Sequence, residues 1–289
     1  MKNRIILGSA NFDQTYGIKR NFIRKSEIKK LLNLASKNGI KTIDTSPFYN
    51  NSEKIIGLLN KGRFKIISKI PKVPKDIRKK NIKKWIKKST KNSLKNLKVK
   101  KFECLLIHNA NTLLSKNGDE IYKSIKSMKT KKLTNKIGVS IYDFNLLDKI
   151  LKKFRFDLIQ APLNILDQRL VNRGWLKKLK KRKIEVHVRS IFLQGILLVR
   201  YNRLPKKLKE LNKYWITWYN WLKKNKFNPL QICLSYIFNQ RQLDGIILGC
   251  NSKNQLSQIL KFKQMKKNFS LPNLNIKNEK LIDPREWIN

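Results

Sequence analysis

A chain of 289 residues with 40% apolar content, thirteen Phe and six Trp can bury a large core, so its formal charge of +49 does not mark it as disordered. No apolar run approaches the roughly 20 residues of a membrane-spanning helix. The apolar start from Ile5 to Ala10 is shorter than a secretory signal and is closed by Asp13, so the expectation is a soluble, cytoplasmic protein.

Short apolar segments suited to buried parallel strands alternate along the chain with segments of helical period. The first strand is expected at 4–9 (RIILGS), with a helix at 26–38 that starts at Ser26 and Glu27 and is followed by Gly39. A strand at 41–46 (KTIDTS) leads to a helix at 52–60, opened by Asn51 or Ser52 before Glu53. Then come strand 64–70 and helix 81–97, strand 102–109 and helix 118–130, and strand 135–141 and helix 144–154. The last three pairs are strand 156–162 with a helix at about 173–182, strand 184–190 with helix 229–239, and strand 244–250 with helix 252–262, started by Ser252. Strict alternation favours a closed (β/α)8 TIM barrel over an open doubly wound sheet, whose glycine-rich first turn is missing from LGSANFDQTYGI.

An extra helical insertion follows strand seven at 191–228, and a tail occupies 263–289. The tryptophan-rich part of the insertion reads as packing against the barrel, with a lid over the functional rim as the alternative. The tail is expected to pack on the barrel, making 1–289 one domain. Cys104, Cys233 and Cys250 are far apart in apolar runs and read as core residues of a protein in a reducing compartment, with a reactive thiol at Cys250 as the minority reading. The lysines are spread from end to end, as compositional drift on solvated helix faces would leave them. No specific nucleic-acid partner is expected, although nonspecific binding to polyanions at low salt is.

Asp44, Lys69 and His108 stand at the ends of the second, third and fourth strands, and Tyr49 in the loop after the second. In a barrel those ends converge on one mouth. Singly, each residue reads as a cap, a core phenol, a solvated charge or a satisfied imidazole; together they read as a site. Here the chain resembles the aldo-keto reductase superfamily over nearly its whole length. IDTSPFYNNSEKIIG is similar to that family's D-T-A-x-x-Y-G-x-S-E-x-x-L-G segment, IISK to its I-x-T-K strand and LLIHN to its L-x-H strand. KIGVSIYD, DLIQAPLNILDQR, VRSIFLQGIL and IILGCNSKNQL resemble its later cofactor-lining segments.

The resemblance implies NAD(P)H-dependent transfer of hydride between a nicotinamide and an aldehyde, ketone or sugar-like carbonyl, a small-molecule partner, and no metal. Tyr49 is then the proton donor, Lys69 the cation that lowers its pKa, Asp44 the partner that holds Lys69, and His108 a neutral imidazole that orients the carbonyl. By the same resemblance, Ser140 and Gln160 meet the carboxamide, Ser190 and Gly195 the pyrophosphate neighbourhood, and Gly249, Ser252 and Lys253 a phosphate at a helix start. Lys253 favours NADPH, with NADH as the alternative. Arg189 stands where many relatives stack an aromatic on the nicotinamide, Ile141 where many have Asn, and Gln258 and Ile259 where Glu and Asn are common. Asn50 replaces a usual Gly, and Asn tolerates the left-handed backbone better than most residues. Phe12, Phe48, Asn109, Asn164 and Arg200 are expected around the substrate. Two other classes stay open: a cofactor-sensing binding protein on the same fold, and a polyanion-binding protein.

Overall fold

The computed structural model describes residues 2–13, 23–74, 76–199, 206–262, 270–274, 276 and 278–287. The strands are β1 (Ile5–Gly8), β2 (Thr42–Asp44), β3 (Lys65–Ile70), β4 (Phe102–Ile107), β5 (Thr134–Ser140), β6 (Leu158–Pro162), β7 (Glu185–Arg189) and β8 (Gly245–Gly249). They pair in chain order, all parallel, and β8 returns to β1 with Ile5 opposite Ile246 and Gly8 opposite Gly249. The sheet is a closed (β/α)8 barrel, as the alternation of segments predicts.

Between the strands lie α1 (Lys25–Lys37), α2 (Ser52–Leu59), α3 (Ile82–Leu97), α4 (Gly118–Thr130) and α5 (Asn145–Lys153). After β6 come α6 (Arg169–Asn172) and α7 (Trp175–Lys181), then α8 (Asn212–Lys224), α9 (Pro229–Asn239) and, after β8, α10 (Lys253–Leu260). Helical spacing decides which face each buries. In α3, Ile82, Ile86, Thr90, Ser93, Leu94 and Leu97 are buried while Lys83, Lys84, Lys88, Lys91 and Lys95 are exposed. α1 buries Ile28, Leu31, Leu32 and Ala35, and Gly39 follows it at φ 76°, where glycine has no steric penalty. The helix expected near 173–182 is α7, and the short α6 precedes it, set apart by Gly174 at φ 70°.

The barrel interior is layered, because alternate residues of each strand point inward. At the amino-terminal end Lys136 bridges Glu185 at 2.7 Å and Glu103 at 3.3 Å. Above them Ile6, Ile67, Cys104, Leu106, Leu158 and Ile247 form an apolar plug. That plug separates the lower charges from Asp44, Lys69, Ser140 and Gln160 near the carboxyl ends of their strands, so these upper polar groups sit on an apolar floor.

The tryptophan helix packs: Trp215 and Trp218 of α8 are fully buried against Leu193, Ile196 and Leu197, together with Leu274 and Ile282 of the carboxyl-terminal segment. All three cysteines are buried, and burial pushes the Cys250 thiol up to about 12, so it stays an unreactive thiol at neutral pH. Among the described residues no helix is long and apolar enough to cross a membrane.

Candidate active site

β2 delivers Asp44 at its last residue, and His108 directly follows β4. Lys69 lies one residue inside the end of β3, where it is paired with Leu106 of β4. Tyr49 sits in the turn before α2, where its N–H donates to the Ser46 carbonyl at 3.0 Å and Asn50 takes the left-handed conformation, φ 43°. These four side chains line one cavity of about 350 Å³.

Lys69 Nζ donates to Asp44 Oδ1 at 2.6 Å and to the Thr45 carbonyl at 2.9 Å. Gln160 Nε2 donates to Asp44 Oδ2 at 2.8 Å. The side chains of Lys69 and Asp44 are only 2% and 5% exposed, so neither charge is solvated and each depends on the other. Lys69 Nζ stands 5.4 Å from the centre of the Tyr49 ring.

Tyr49 keeps part of its surface open while its hydroxyl end is enclosed. Burial pushes its pKa up, the Asp44 carboxylate and Tyr142 add to that, and Arg189 opposes it. The Lys69 ammonium, for its part, is in direct contact with the Asp44 carboxylate. Tyr49 is therefore protonated at rest. Burial, then Lys69, Arg189 and Arg285, bring His108 from 6.5 down to about 3, so the imidazole is neutral, as expected.

Ser140, Gln160, Ser190, Gly195 and Gly249 line the same cavity, and a side chain built at Gly249 would meet nothing within 4 Å, so the wall is open there. Arg189 lines it too, but stacks on a protein ring: its Cζ lies 3.6 Å from the centre of Tyr142, and its NH2 donates to the Ile141 carbonyl at 2.7 Å. Arg285 Cζ is 3.7 Å from the same centre. Two guanidinium carbons so close to one centroid cannot share a face, so Tyr142 is sandwiched between them.

Several expectations need correction. Phe12 is fully buried in the core and does not face the cavity. Asn164 is fully buried: its Oδ1 accepts from the N–H groups of Leu166 and Asp167, and its Nδ2 donates to the Ser190 carbonyl at 3.0 Å. It shapes the loop beneath Ser190 and lies outside the lining. Asn109 caps the turn Ala110–Leu114, accepting from Asn111 N–H at 3.0 Å, and lies outside the lining. Phe48 is half exposed with its ring centre 5.2 Å from that of His108, at the edge of the mouth. Arg200 lies outside the described residues.

Ser252 caps α10, its Oγ accepting from Gln255 N–H at 3.2 Å. Neither it nor Lys253 lines the cavity, which meets α10 along Gln255, Gln258 and Ile259. At the helix start expected to meet phosphate, the Lys253 N–H donates to Glu27 Oε1 of α1 at 2.7 Å.

The sequence reading missed Asn11, Tyr142 and Gln194, all in the lining. Tyr142 had a usable signal, since it follows the end of β5 by two residues. Asn11 had none: its Nδ2 ties the loop after β1 to the Cys250 carbonyl and to Asn251 Oδ1, both at 2.6 Å, contacts that only the closed barrel creates. Two buried acceptors of the lining, Gln160 Oε1 and Asn11 Oδ1, have no partner.

Many solved structures are similar in fold. One is an aldo-keto reductase from Bacillus halodurans in its holo form, at 17% identity over 91% of this chain and 88% of the other, TM-score 0.71. Another is a glycerol dehydrogenase from Gluconobacter oxydans, at 19% identity over 91% and 88%, TM-score 0.68. No curated protein matches the chain in sequence. At these identities the structures speak for the barrel alone; the sequence itself matches the model of the aldo/keto reductase family from residue 4 to residue 270. Spanning nearly the whole barrel and its mouth, that match makes the chain a member of the aldo/keto reductase family, whose enzymes are NAD(P)H-dependent oxidoreductases acting on carbonyls.

Proposed function

We propose that this protein reduces a small carbonyl compound with a nicotinamide dinucleotide, and that Tyr49 donates the proton. The observation that carries this reading is the buried Lys69–Asp44 pair beside an enclosed, protonated Tyr49 and a neutral His108 in one cavity. The residues fit the dinucleotide. Gln160 turns its NH2 to Asp44, which leaves Oε1 as a buried acceptor for a carboxamide NH2, and Asn11 Oδ1 offers another acceptor for a hydroxyl. The open wall at Gly249 leaves room between them. When bound, the nicotinamide supplies the hydride.

The chain supplies the rest. The neutral imidazole of His108 orients the carbonyl and polarises its oxygen by a hydrogen bond. The Tyr49 hydroxyl then gives its proton to that oxygen as negative charge develops there. Asp44 and Gln160 hold Lys69 so that its charge cannot wander into the mouth. The amino-terminal end of α10 supports NADH over the expected NADPH, because the Glu27 carboxylate already occupies the Lys253 N–H and would repel a 2′-phosphate brought there.

The test is oxidation of NADH and NADPH by the full chain against a panel of simple aldehydes, ketones and sugar-like carbonyls, with Tyr49→Phe alongside. The variant should bind cofactor like the wild type and lose at least ~100-fold in turnover, the scale of a missing general acid. Equal turnover in the two proteins would remove Tyr49 from the role.

A further inference from the structure

Among the described residues, the charged side chains in the wall of the cavity that holds Tyr49 are Asp44, Lys69 and Arg189, while His108 stays neutral. Asp44 and Lys69 answer each other at 2.6 Å, and the second Asp44 oxygen accepts from Gln160 at 2.8 Å. Arg189 finds only neutral acceptors: the Ile141 carbonyl at 2.7 Å from its NH2 and Ser190 Oγ at 3.4 Å from its NH1. Every acidic side chain of the chain lies among the described residues, and none of them pairs with Arg189, whereas Arg285, on the other face of Tyr142, is bound to Asp283.

The course of the side chain shows where this charge stands. Arg189 closes β7 and lines the mouth. From there it reaches the carbonyl of Ile141, the residue after β5, and because β6 stands between β5 and β7 the guanidinium spans the carboxyl end of β6. Gln160, the β6 residue that holds Asp44, lies two positions before that end, so the charge lies over the group formed by Gln160, Asp44 and Lys69. The open wall at Gly249, which gives the dinucleotide room, belongs to β8 on the far side of β7. The guanidinium is thus turned away from that room and over the part of the mouth left to the substrate. The Tyr142 ring, 3.6 Å from Cζ, and the Ile141 carbonyl hold it there, while donors of the fork remain for an incoming group.

We propose that the carbonyl substrate carries an oxyanion, a carboxylate or a phosphate, and that Arg189 is the residue that receives it. The proposal rests on carbonyl reduction at Tyr49 and names the class of compound reduced. A cation held in a cavity wall against neutral acceptors binds an oxyanion through charge-assisted hydrogen bonds, and Ser190 Oγ brings a hydroxyl to the same place. The formal charge of +49 draws such substrates towards the protein, but it draws every anion alike; the fixed guanidinium is what selects one whose anion and carbonyl fit the mouth together.

The experiment uses the full chain and two pairs of aldehydes matched except for the anion: succinic semialdehyde with butanal, and glyceraldehyde 3-phosphate with glyceraldehyde. The ratio of kcat/KM within each pair is measured for the wild type, Arg189→Gln and Arg189→Lys, with the NADH dissociation constant of each protein alongside. In the wild type at least one anionic member should be preferred roughly 10- to 100-fold, the scale of hydrogen bonds to a charged group. Arg189→Gln should bring that ratio close to one, chiefly through KM, and Arg189→Lys should keep part of it. A wild type that prefers neither anion overturns the proposal, as does a preference that survives Arg189→Gln; in that second case, NADH bound tenfold more weakly by the variant would assign the charge to the cofactor's own pyrophosphate. If the wild type reduced none of the four aldehydes, carbonyl reduction would fail by itself. Binding of succinate to the NADH-loaded protein, followed through the ring protons of His108, one of two histidines, would then decide about the receptor. Signals that move in the wild type and stay in Arg189→Gln uphold it, and signals that behave alike in both proteins overturn it.

Discussion

The buried pair of Lys69 and Asp44 changes the sign of one residue-level expectation. Were Asp44 only the anchor of a lysine that lowers the Tyr49 pKa, its removal would raise that pKa. In the structure burial and then the Asp44 carboxylate hold the phenol up beyond the range of an assay, so Asp44→Asn should bring an alkaline limb into the pH–rate profile, even as hydride transfer slows because Lys69 loses its partner. An Asp44→Asn profile as flat at alkaline pH as that of the wild type would refute this. The same variant leaves an unpaired buried ammonium, and a loss of about 3 kcal/mol or more in urea unfolding is expected. A second prediction concerns His187, which lies inside the barrel with Nδ1 unpartnered and Nε2 3.9 Å from Glu185 Oε2. Burial takes its pKa from 6.5 down to about 4. The folded state therefore refuses a proton that the unfolded chain accepts: the stability is whole above pH 6.5 and drains away as pH falls towards 4, with His108 acting in the same direction. Between pH 7 and pH 5 this one residue should account for about 2 kcal/mol, so His187→Gln should lose less stability over that interval than the wild type. Equal losses would show that its protonation is not coupled to unfolding.

At the scale of elements the strands were legible because each is a short apolar run of the right length between breakers, and the helices because their buried residues recur every three or four positions, as in α3. Legibility fails where one residue type serves two geometries. Phe12 beside a strand end reads the same whether the loop turns it to a substrate or into the core, and the turn of the loop after β1 decides for the core. Asn164 looks like a free amide until the loop after β6 folds back over it. The four polar residues at the mouth were legible because three of them sit at or beside strand ends, which the barrel brings together whatever the loops do. The start of α10 was half legible: Ser252 caps it as read, but the partner of the next N–H, Glu27, comes from α1, more than 200 residues earlier, and only the closure of β8 on β1 brings the two helices together. A third prediction follows from that contact. Glu27→Gln removes the carboxylate and should strengthen NADPH relative to NADH by roughly 5- to 10-fold, about 1 kcal/mol for a charge at a helix start. Lys253→Ala, on an exposed side chain outside the cavity lining, should change the ratio little. Paired dissociation constants at one ionic strength decide it, and a ratio that Glu27→Gln leaves unchanged would sink the assignment.

At the scale of the whole molecule, 67 basic residues face 18 acidic ones, and several of the acids stand as counterions. Asp157 answers Lys129, Asp119 answers Lys153, Asp244 answers Lys180, and Glu279 answers both Arg169 and Arg173, tying the carboxyl-terminal segment to α6 and the turn after it. The lysines greatly outnumber such partners. From residue 77 to residue 102 there is no acid at all, and the outer face of α3 is a ridge of exposed lysines. Folding gathers these like charges closer than the unfolded chain holds them, so electrostatics at low salt opposes the native state. Surface ion pairs favour it by only ~0–1 kcal/mol each, and the buried Lys69–Asp44 pair lies beyond the reach of screening ions. Repulsion should therefore dominate the salt response, and Tm should rise as NaCl goes from about 10 mM to about 300 mM, over which the Debye length shrinks from roughly 30 Å to under 10 Å. A relief of a few kcal/mol would raise Tm by roughly 2–4 °C for each. Sodium chloride is the right salt, since sulfate raises Tm by exclusion from the surface whatever the charge. A short polyanion added at low salt should raise Tm as well, by binding the native lysine ridges, and lose that effect at 300 mM NaCl. A Tm that fell on adding NaCl would mean that ion pairs outweigh repulsion, and the excess lysines would then need a partner other than water.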